Sequence, residues 1–277
     1  MKRVLLAAGL AFAIPGAHAA DRDLQLPDKL EQGQLVIGHA PKSAKIEYLG
    51  RRLRIAEDGT FVFGIERDAP AQIKLHIRYG NGKAQNREFP VAKRAYNISR
   101  VNGLPQHTVT PPPERVQRIK RERERVAETR RRDDPREDFL AGFIEPVDGA
   151  RIGDAYGSQR IDNGVAMAFH NGYDLVVPAG TPIRATAPGI VTLAETDMIM
   201  NGGIVVIDHG FGVTTTTIHM SRVDVKAGER VEQGEVTGLA GATGRATGPH
   251  VHWMVNWFDL PLDPALLPKP AEAAKAP

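Results

Sequence analysis

Short apolar runs, each bounded by glycine, proline or asparagine, recur along most of this chain. The run from Ile73 to Ile77 alternates apolar and polar residues with a period of two, which is typical of a strand with one buried face. Asp58-Gly59 and Gly80-Asn81-Gly82 are dipeptide and tripeptide signals for tight turns. The pattern predicts a mainly β chain, built of antiparallel strands that are joined by short turns.

The first β region is predicted over residues 20–99. Its apolar runs include Leu35 to Ile37 and Phe61 to Phe63, and their spacing favours a small β-sandwich-like domain of immunoglobulin-like size. It contains no catalytic constellation. His39 and His76 stand apart from other chemistry-bearing residues, so we expect both to be structural or merely exposed.

A dense run of charged residues from Glu114 to Asp134 follows, inside a linker predicted over residues 100–137. Its large apolar residues are Val116, Ile119 and Val126, and this thin stripe predicts a mostly solvated helix. A helical spacer between two domains is the favoured interpretation. The alternative is a basic handle for anionic cell-wall polymers or a membrane surface, although acidic residues interleave throughout.

The second β region is predicted over residues 138–268, with a loose tail at residues 269–277. It is rich in glycine, and no long amphipathic pattern interrupts it, so we expect a compact antiparallel domain with many turns. Its predicted strands are Ile183 to Ala187, Gly189 to Leu193, Ile204 to His209, Val213 to His219 and His250 to Trp257.

The first 19 residues have the features of a secretory signal. Lys2 and Arg3 precede the apolar run Val4 to Ile14, which is short for a bilayer span. Ala17-His18-Ala19 fits the small-x-small rule, so cleavage after Ala19 is expected. The sequence therefore predicts an exported protein with no stable membrane insertion after cleavage.

Composition limits the chemistry further. The chain has 277 residues and no cysteine, which excludes disulfides and leaves His, Asp and Glu as candidate metal ligands. The formal net charge of +3 is small for this length and gives no indication of nucleic-acid binding.

Histidine motifs in the second β region have the spacing of a metal site. His170 and Asp174 have equal parity on an extended segment, as do His250 and His252, so each pair would face one side. His219 ends a run of threonines. A catalytic zinc site needs about three protein ligands and an open position. His170, Asp174 and one histidine of the later pair would supply the ligands, and two histidines would remain to orient water and stabilise an oxyanion.

The order of these motifs resembles the LytM/lysostaphin-type zinc metallopeptidases over about Phe143 to Leu267. The similar segments are H-x-G-x-D at His170, G-T-P-I-R-A (Gly180 to Ala185), I-D-H-G (Ile207 to Gly210), I-H-M at His219, and T-G-R-A-T-G-P-H-V-H (Thr243 to His252). Gly157-Ser158-Gln159-Arg160 is similar to the entry motif of that family. The upstream β region, with Asn102-Gly103-Leu104-Pro105, resembles the accessory domain of its Gram-negative members.

By that resemblance, one zinc ion per chain is held by His170, Asp174 and His252, and the assisting catalytic residues are His219 and His250. The family folds as an antiparallel β-sheet with a groove over the zinc. The resemblance implies a zinc-dependent endopeptidase that hydrolyses peptide cross-links or stem peptides of peptidoglycan. One departure from the family pattern is Thr217, where a tyrosine is usual. The alternatives are a non-catalytic activator of cell-wall amidases and a wall-binding module.

Export and the accessory region together favour the periplasm of a Gram-negative cell, with peptidoglycan as the substrate partner and no assigned regulatory protein. Two roles remain open for the first β region. We expect it to lie near the groove and restrict access to it, and the alternative is a tether or a partner-binding module.

Overall fold

The computed structural model describes residues 24–101, 113–162 and 164–271. The expected signal segment, residues 1–19, and Asn102 to Pro105 lie outside the described residues, as does most of the expected tail. The described chain is predominantly β, with antiparallel sheets, which confirms the predicted fold class. In this part of the chain, no helix combines the length and the apolar character that a bilayer crossing requires.

The first β region forms two antiparallel sheets. β1 pairs with β4, and the second sheet has the order β3-β2-β5-β6. In β5 the apolar side chains are buried and the intervening ones face out, as the period-two pattern predicts. The strands are β1 (Leu35–His39), β2 (Lys45–Tyr48), β3 (Arg51–Arg52), β4 (Thr60–Gly64), β5 (Gln72–Arg78), β6 (Ala84–Pro90) and β7 (Ile98–Val101).

Helix α1 spans Pro113–Arg130 and ends before the predicted boundary at Asp134. After the last turn, Asp133 is bonded to the first β region. Arg54 Nε donates to Asp133 Oδ1 at 2.9 Å, and the same guanidinium donates to the Asp133 carbonyl at 2.7 Å. These bonds join the segment after α1 to the first β region.

A large eight-stranded sheet dominates the second β region. Its order is β17-β13-β14-β15-β19-β11-β8, with β20 paired to β19, and β12-β18-β16 form a smaller sheet. The strands are β8 (Arg151–Ile152), β9 (Gln159–Asp162), β10 (Val165–Ala166), β11 (Tyr173–Val176), β12 (Pro182–Arg184), β13 (Gly189–Met198), β14 (Gly202–Asp208), β15 (Val213–Met220), β16 (Arg222–Val223), β17 (Arg230–Val231), β18 (Val236–Leu239), β19 (Val251–Trp257) and β20 (Leu260–Leu262).

β7 leaves the first β region and pairs in parallel with β9, beside the hairpin partner β10. The main hydrophobic core also runs across both regions, since it includes Phe63 and Leu75 from the first and Trp257 and Leu262 from the second. The Tyr48 and Trp257 ring centroids lie 6.1 Å apart across this junction. The two β regions are therefore joined by strand pairing and by shared core.

The large sheet is buried on both faces, and alternate residues go to different partners. Trp253 and Val255 of β19 face the main core. Met254, between them, joins a second cluster with Ile218 of β15 and Val126 of α1. Helix α1 therefore covers part of the face opposite the main core, and its buried apolar residue Val126 packs against the sheet.

His209 follows β14 and is completely buried. Its Nδ1 donates to the Pro188 carbonyl at 2.6 Å, and its Nε2 accepts from Thr215 Oγ1 at 2.8 Å. Burial lowers the pKa of His209 to about 4, so the ring is neutral. Both ring nitrogens are hydrogen-bonded inside the fold, so His209 is a structural residue.

We predict that His209 weakens the fold in acid. As pH falls from about 6.5 to 4, the unfolded chain takes up a proton on this ring before the folded protein does, so stability is lost in that window. At pH 5 this amounts to about 2 kcal/mol. His209→Gln should therefore lose less free energy of unfolding than the parent between pH 7.5 and pH 5, by denaturant titration. An identical pH-dependent loss in the two proteins would contradict the assignment.

Candidate metal centre

The register of two strands creates the centre. β11 pairs antiparallel with β19, and Asp174 lies directly opposite His252. Opposed residues point to the same face, and His252 Nδ1 lies 2.7 Å from Asp174 Oδ1. Gly172 permits this approach, because a Cβ there would overlap the Trp253 carbonyl.

His170 completes a group of three donors from just outside β11. Its Nε2 lies 3.1 Å from Asp174 Oδ1, and its Nδ1 lies 3.3 Å from the Ala155 carbonyl. One donor atom from each of His170, Asp174 and His252 can be chosen so that all three lie within 4.8 Å of one another. The structure thus brings the three sequence-predicted ligands together from two distant segments.

The two predicted assistants lie beside these donors. His250 Nε2 is 3.7 Å from Asp174 Oδ1, and its Nδ1 is 2.8 Å from the Gly248 carbonyl. His219 Nδ1 is 2.8 Å from the Thr243 carbonyl. The His219 ring centroid lies 4.7 Å from that of His250 and 6.4 Å from that of His252. All five predicted site residues therefore form one cluster.

His219 reaches the cluster by an unusual backbone conformation. On a regular strand its side chain would face away from that of Ile218, which pairs with His252. Its φ of +67° lies in the left-handed region, which non-glycine residues seldom adopt. A hydrogen bond from His219 N to the Asn201 carbonyl, at 2.8 Å, holds this turn of the chain. The strained backbone redirects the imidazole towards the other histidines.

The imidazoles at the centre stabilise the ionised form of the Asp174 carboxylate. Burial acts to raise the pKa of Asp174, but hydrogen bonds and charge from His170 and His252 outweigh it and hold that pKa far below its usual range. Burial lowers the pKa of His252 and brings that of His219 to about 4. For His170 burial is outweighed by the bond to Asp174, and its pKa is raised. The Asp174 carboxylate is therefore ionised and available as a donor at neutral pH.

Asn171 is a contributor that the sequence did not predict. Its Oδ1 lies 3.2 Å from His252 Nε2, on the side of the ring opposite Asp174. An amide oxygen there accepts the Nε2 proton, which leaves the Nδ1 lone pair facing the donor group. Asn171 occupies a variable position between His170 and Gly172 of the motif. Because the motif spacing does not require a particular residue type there, the sequence does not indicate its role.

Comparison with known proteins identifies the family of this region. The model of peptidase family M23 matches residues 168–264, which include all five clustered residues. Peptidoglycan DD-endopeptidase ShyA of Vibrio cholerae is 41% identical over 87 residues, or 31% of this chain and 20% of its own length. DD-carboxypeptidase/endopeptidase Mpg of Neisseria meningitidis is 36% identical over 130 residues, or 47% of this chain and 30% of its own. The chain thus spans about a fifth to a third of these curated relatives.

A solved structure matches over a much longer stretch. It carries the name peptidase M23 of Pseudomonas aeruginosa and is 31% identical to this chain, with a TM-score of 0.67. The match covers 86% of this chain and 95% of the other. The resemblance therefore extends beyond the second β region to the arrangement of the first.

The side chain of Thr243 joins two neighbouring strands beside the centre, and we predict that its loss destabilises the fold. Its Oγ1 accepts from Gly203 N at 2.9 Å and donates to the Met220 carbonyl at 2.7 Å. Thr243→Val keeps the shape and removes both bonds, so the free energy of unfolding should fall by about 1–3 kcal/mol. Thr247→Val, at an exposed position of the same loop, is the matched control. Equal losses in both variants, measured by denaturant unfolding, would contradict this role.

Proposed function

Because the chain belongs to peptidase family M23, we propose that it is a zinc-dependent endopeptidase that hydrolyses peptide cross-links or stem peptides of cell-wall peptidoglycan. The observation that carries this proposal is the group of three donors, His170, Asp174 and His252, flanked by two further histidines. Relatives named as peptidoglycan endopeptidases support the choice of substrate.

The donor set fits zinc. Two imidazole nitrogens and one carboxylate oxygen form a set that zinc accepts, and three protein ligands are typical of a catalytic rather than a structural site. His170, Asp174 and His252 would hold the ion. Zinc, when bound, would polarise the scissile carbonyl and lower the pKa of a water molecule. The ligating rings are held in orientation by Ala155 and Asn171, through the nitrogen that each ring leaves free.

His219 and His250 have the geometry of proton carriers. Each holds its Nδ1 proton on a backbone carbonyl, of Thr243 and Gly248 respectively, so Nε2 is the nitrogen available to substrate. One Nε2 can accept a proton from the attacking water and return it to the leaving amine. The other, when protonated, can donate to the oxygen of the tetrahedral intermediate. We assign both residues as catalytic assistants.

Peptidoglycan is the proposed partner, and the periplasm of a Gram-negative cell is the proposed location. The names of the relatives support the first point. The predicted signal segment, residues 1–19, supports the second.

The activity is tested by digestion of isolated peptidoglycan. The zinc-loaded chain should release peptides whose new amino and carboxyl ends mass spectrometry assigns to one bond type. Exhaustive chelation should abolish release, and added zinc should restore it. No release by the loaded protein from cross-linked peptidoglycan, or undiminished release with zinc confirmed absent, would refute the proposal.

We predict that ligand and assistant variants separate into two groups. His170→Ala, Asp174→Ala and His252→Ala should lose zinc and activity together, because three ligands are the minimum for such a site. His219→Ala and His250→Ala should keep near-stoichiometric zinc and lose turnover by roughly 10²-fold or more. His76→Ala, in the first β region, is the control and should change neither. Loss of zinc from His219→Ala with retention in His170→Ala would reverse the assignment.

A further inference from the structure

We propose that the first β region positions His170, and that it does so by holding residues 154–159, here called the support segment. This inference rests on the proposed zinc site. It assigns Arg67 and Tyr96 as positioning residues, and it makes metal affinity depend on contacts that lie in a different part of the chain from the ligands.

The support segment is bonded directly to the ligand. Gly157 N donates to the His170 carbonyl, and His170 N donates to the Ser158 carbonyl, both at 2.8 Å. The Ala155 carbonyl faces His170 Nδ1 at 3.3 Å. The backbone and ring of His170 are therefore both set by these few residues, and a shift of the segment would shift the donor atom.

Arg67 holds the support segment from the first β region. Its side chain is 7% exposed, and its Nε and Nη2 donate to the Gly157 carbonyl at 3.0 and 2.6 Å. The guanidinium centre lies 4.4 Å from the Tyr96 ring centroid and 5.0 Å from that of Phe169, the residue before His170. A planar guanidinium can make this bonded and stacked arrangement, whereas an ammonium cannot. Arg67 thus contacts both the support segment and the residue before the ligand.

Strand β7 fixes the far end of the support segment. Gln159 N donates to the Asn97 carbonyl at 2.9 Å, and Ile98 pairs with Gln159 where β7 begins its parallel pairing with β9. Tyr156 is held as well, because its ring lies against Tyr96 with centroids 6.2 Å apart. The support segment is therefore clamped at its middle by Arg67 and at its end by β7.

Two glycines provide a matched test. Gly157 has φ +82°, and a Cβ there would overlap the Tyr96 ring. Gly164 has φ +83°, and a Cβ there would meet nothing within 4 Å. Alanine at either position carries the same backbone strain. Only the first substitution also pushes against the first β region.

The experiment measures zinc affinity in the full chain. Gly157→Ala and Gly164→Ala are compared by competition with a chromophoric chelator at fixed pH, and the unfolding of each metal-free protein is followed in parallel. Gly157→Ala should bind zinc about 10-fold or more weakly than the parent, in the range seen when groups that orient metal ligands are removed. Gly164→Ala should stay within about twofold of the parent. Comparable unfolding midpoints for the two variants would show that the difference arises at the ligand.

Arg67→Lys supplies a second, milder variant that keeps the charge and the side-chain stem. It should also weaken zinc binding about 10-fold, because it loses the forked bond to Gly157. Arg51→Lys is its control, since Arg51 also joins the two regions but lies 3.6 Å from the ring centroid of Phe258, which follows the other end of β19. Unchanged zinc affinity in both Gly157→Ala and Arg67→Lys would overturn the inference.

The outcomes separate this inference from the proposed function. If the parent chain itself fails to bind zinc, both fail together. If the parent binds zinc and the variants bind it equally well, only the positioning role fails. A rise in peptidoglycan cleavage with unchanged zinc affinity would also overturn positioning, and it would favour a first β region that restricts access to the groove.

Discussion

The pairing of β11 with β19 is the constraint around which the centre is built. It sets Asp174 opposite His252 in two segments that are 78 residues apart, and the 2.7 Å contact between their side chains follows from that register. A slip of one residue would turn one of the two side chains to the other face of the sheet and into the main core. The large buried surface of β19, with Trp253 and Val255 on the core side, is what makes such a slip costly. The hydrophobic core thus fixes the chemistry by fixing the register.

The alternation of side chains along the strands also explains how one face of the large sheet carries the site and packs against helix α1. Asp174 and His252 share a face with Ile218 and Met254, and further along this face Val126 of α1 covers the apolar part. The helix carries little apolar surface because it has to cover only this stretch. Ion pairs between the helix and the sheet, such as that of Arg118 with Asp197 of β13, complete the attachment at the exposed edge, where each is worth little by itself.

Sequence reasoning succeeded where the signal was local. A period-two pattern predicted β5, and short apolar runs predicted β1, β4 and the strands β13, β14, β15 and β19 of the large sheet. Equal parity placed His170 with Asp174 and His250 with His252. His219 was assigned to the site by the family resemblance and not by strand parity, because parity puts that side chain on the other face of the sheet and the left-handed φ of +67° turns it back. Sequence reasoning could not find the parallel pairing of β7 with β9, because no short-range pattern encodes the partner of a strand. Nor did it indicate Arg67, whose bonded partner Gly157 is 90 residues away.

The backbones of the three donors are not held equally firmly. The first β region matters because it supports the donor that is held least firmly, His170. Asp174 and His252 belong to paired strands, whose positions are fixed by backbone bonds and by core packing. His170 lies outside a strand, in a segment whose own order has to come from neighbours. Sites built on strands hold their geometry better than sites built on loops, and metal affinity depends on errors of a fraction of an ångström. With no cysteine in the chain, a disulfide cannot fix that segment. The buried Arg67 guanidinium, packed over the rings of Tyr96 and Phe169, and the pairing with strand β7 supply the rigidity that the loop lacks.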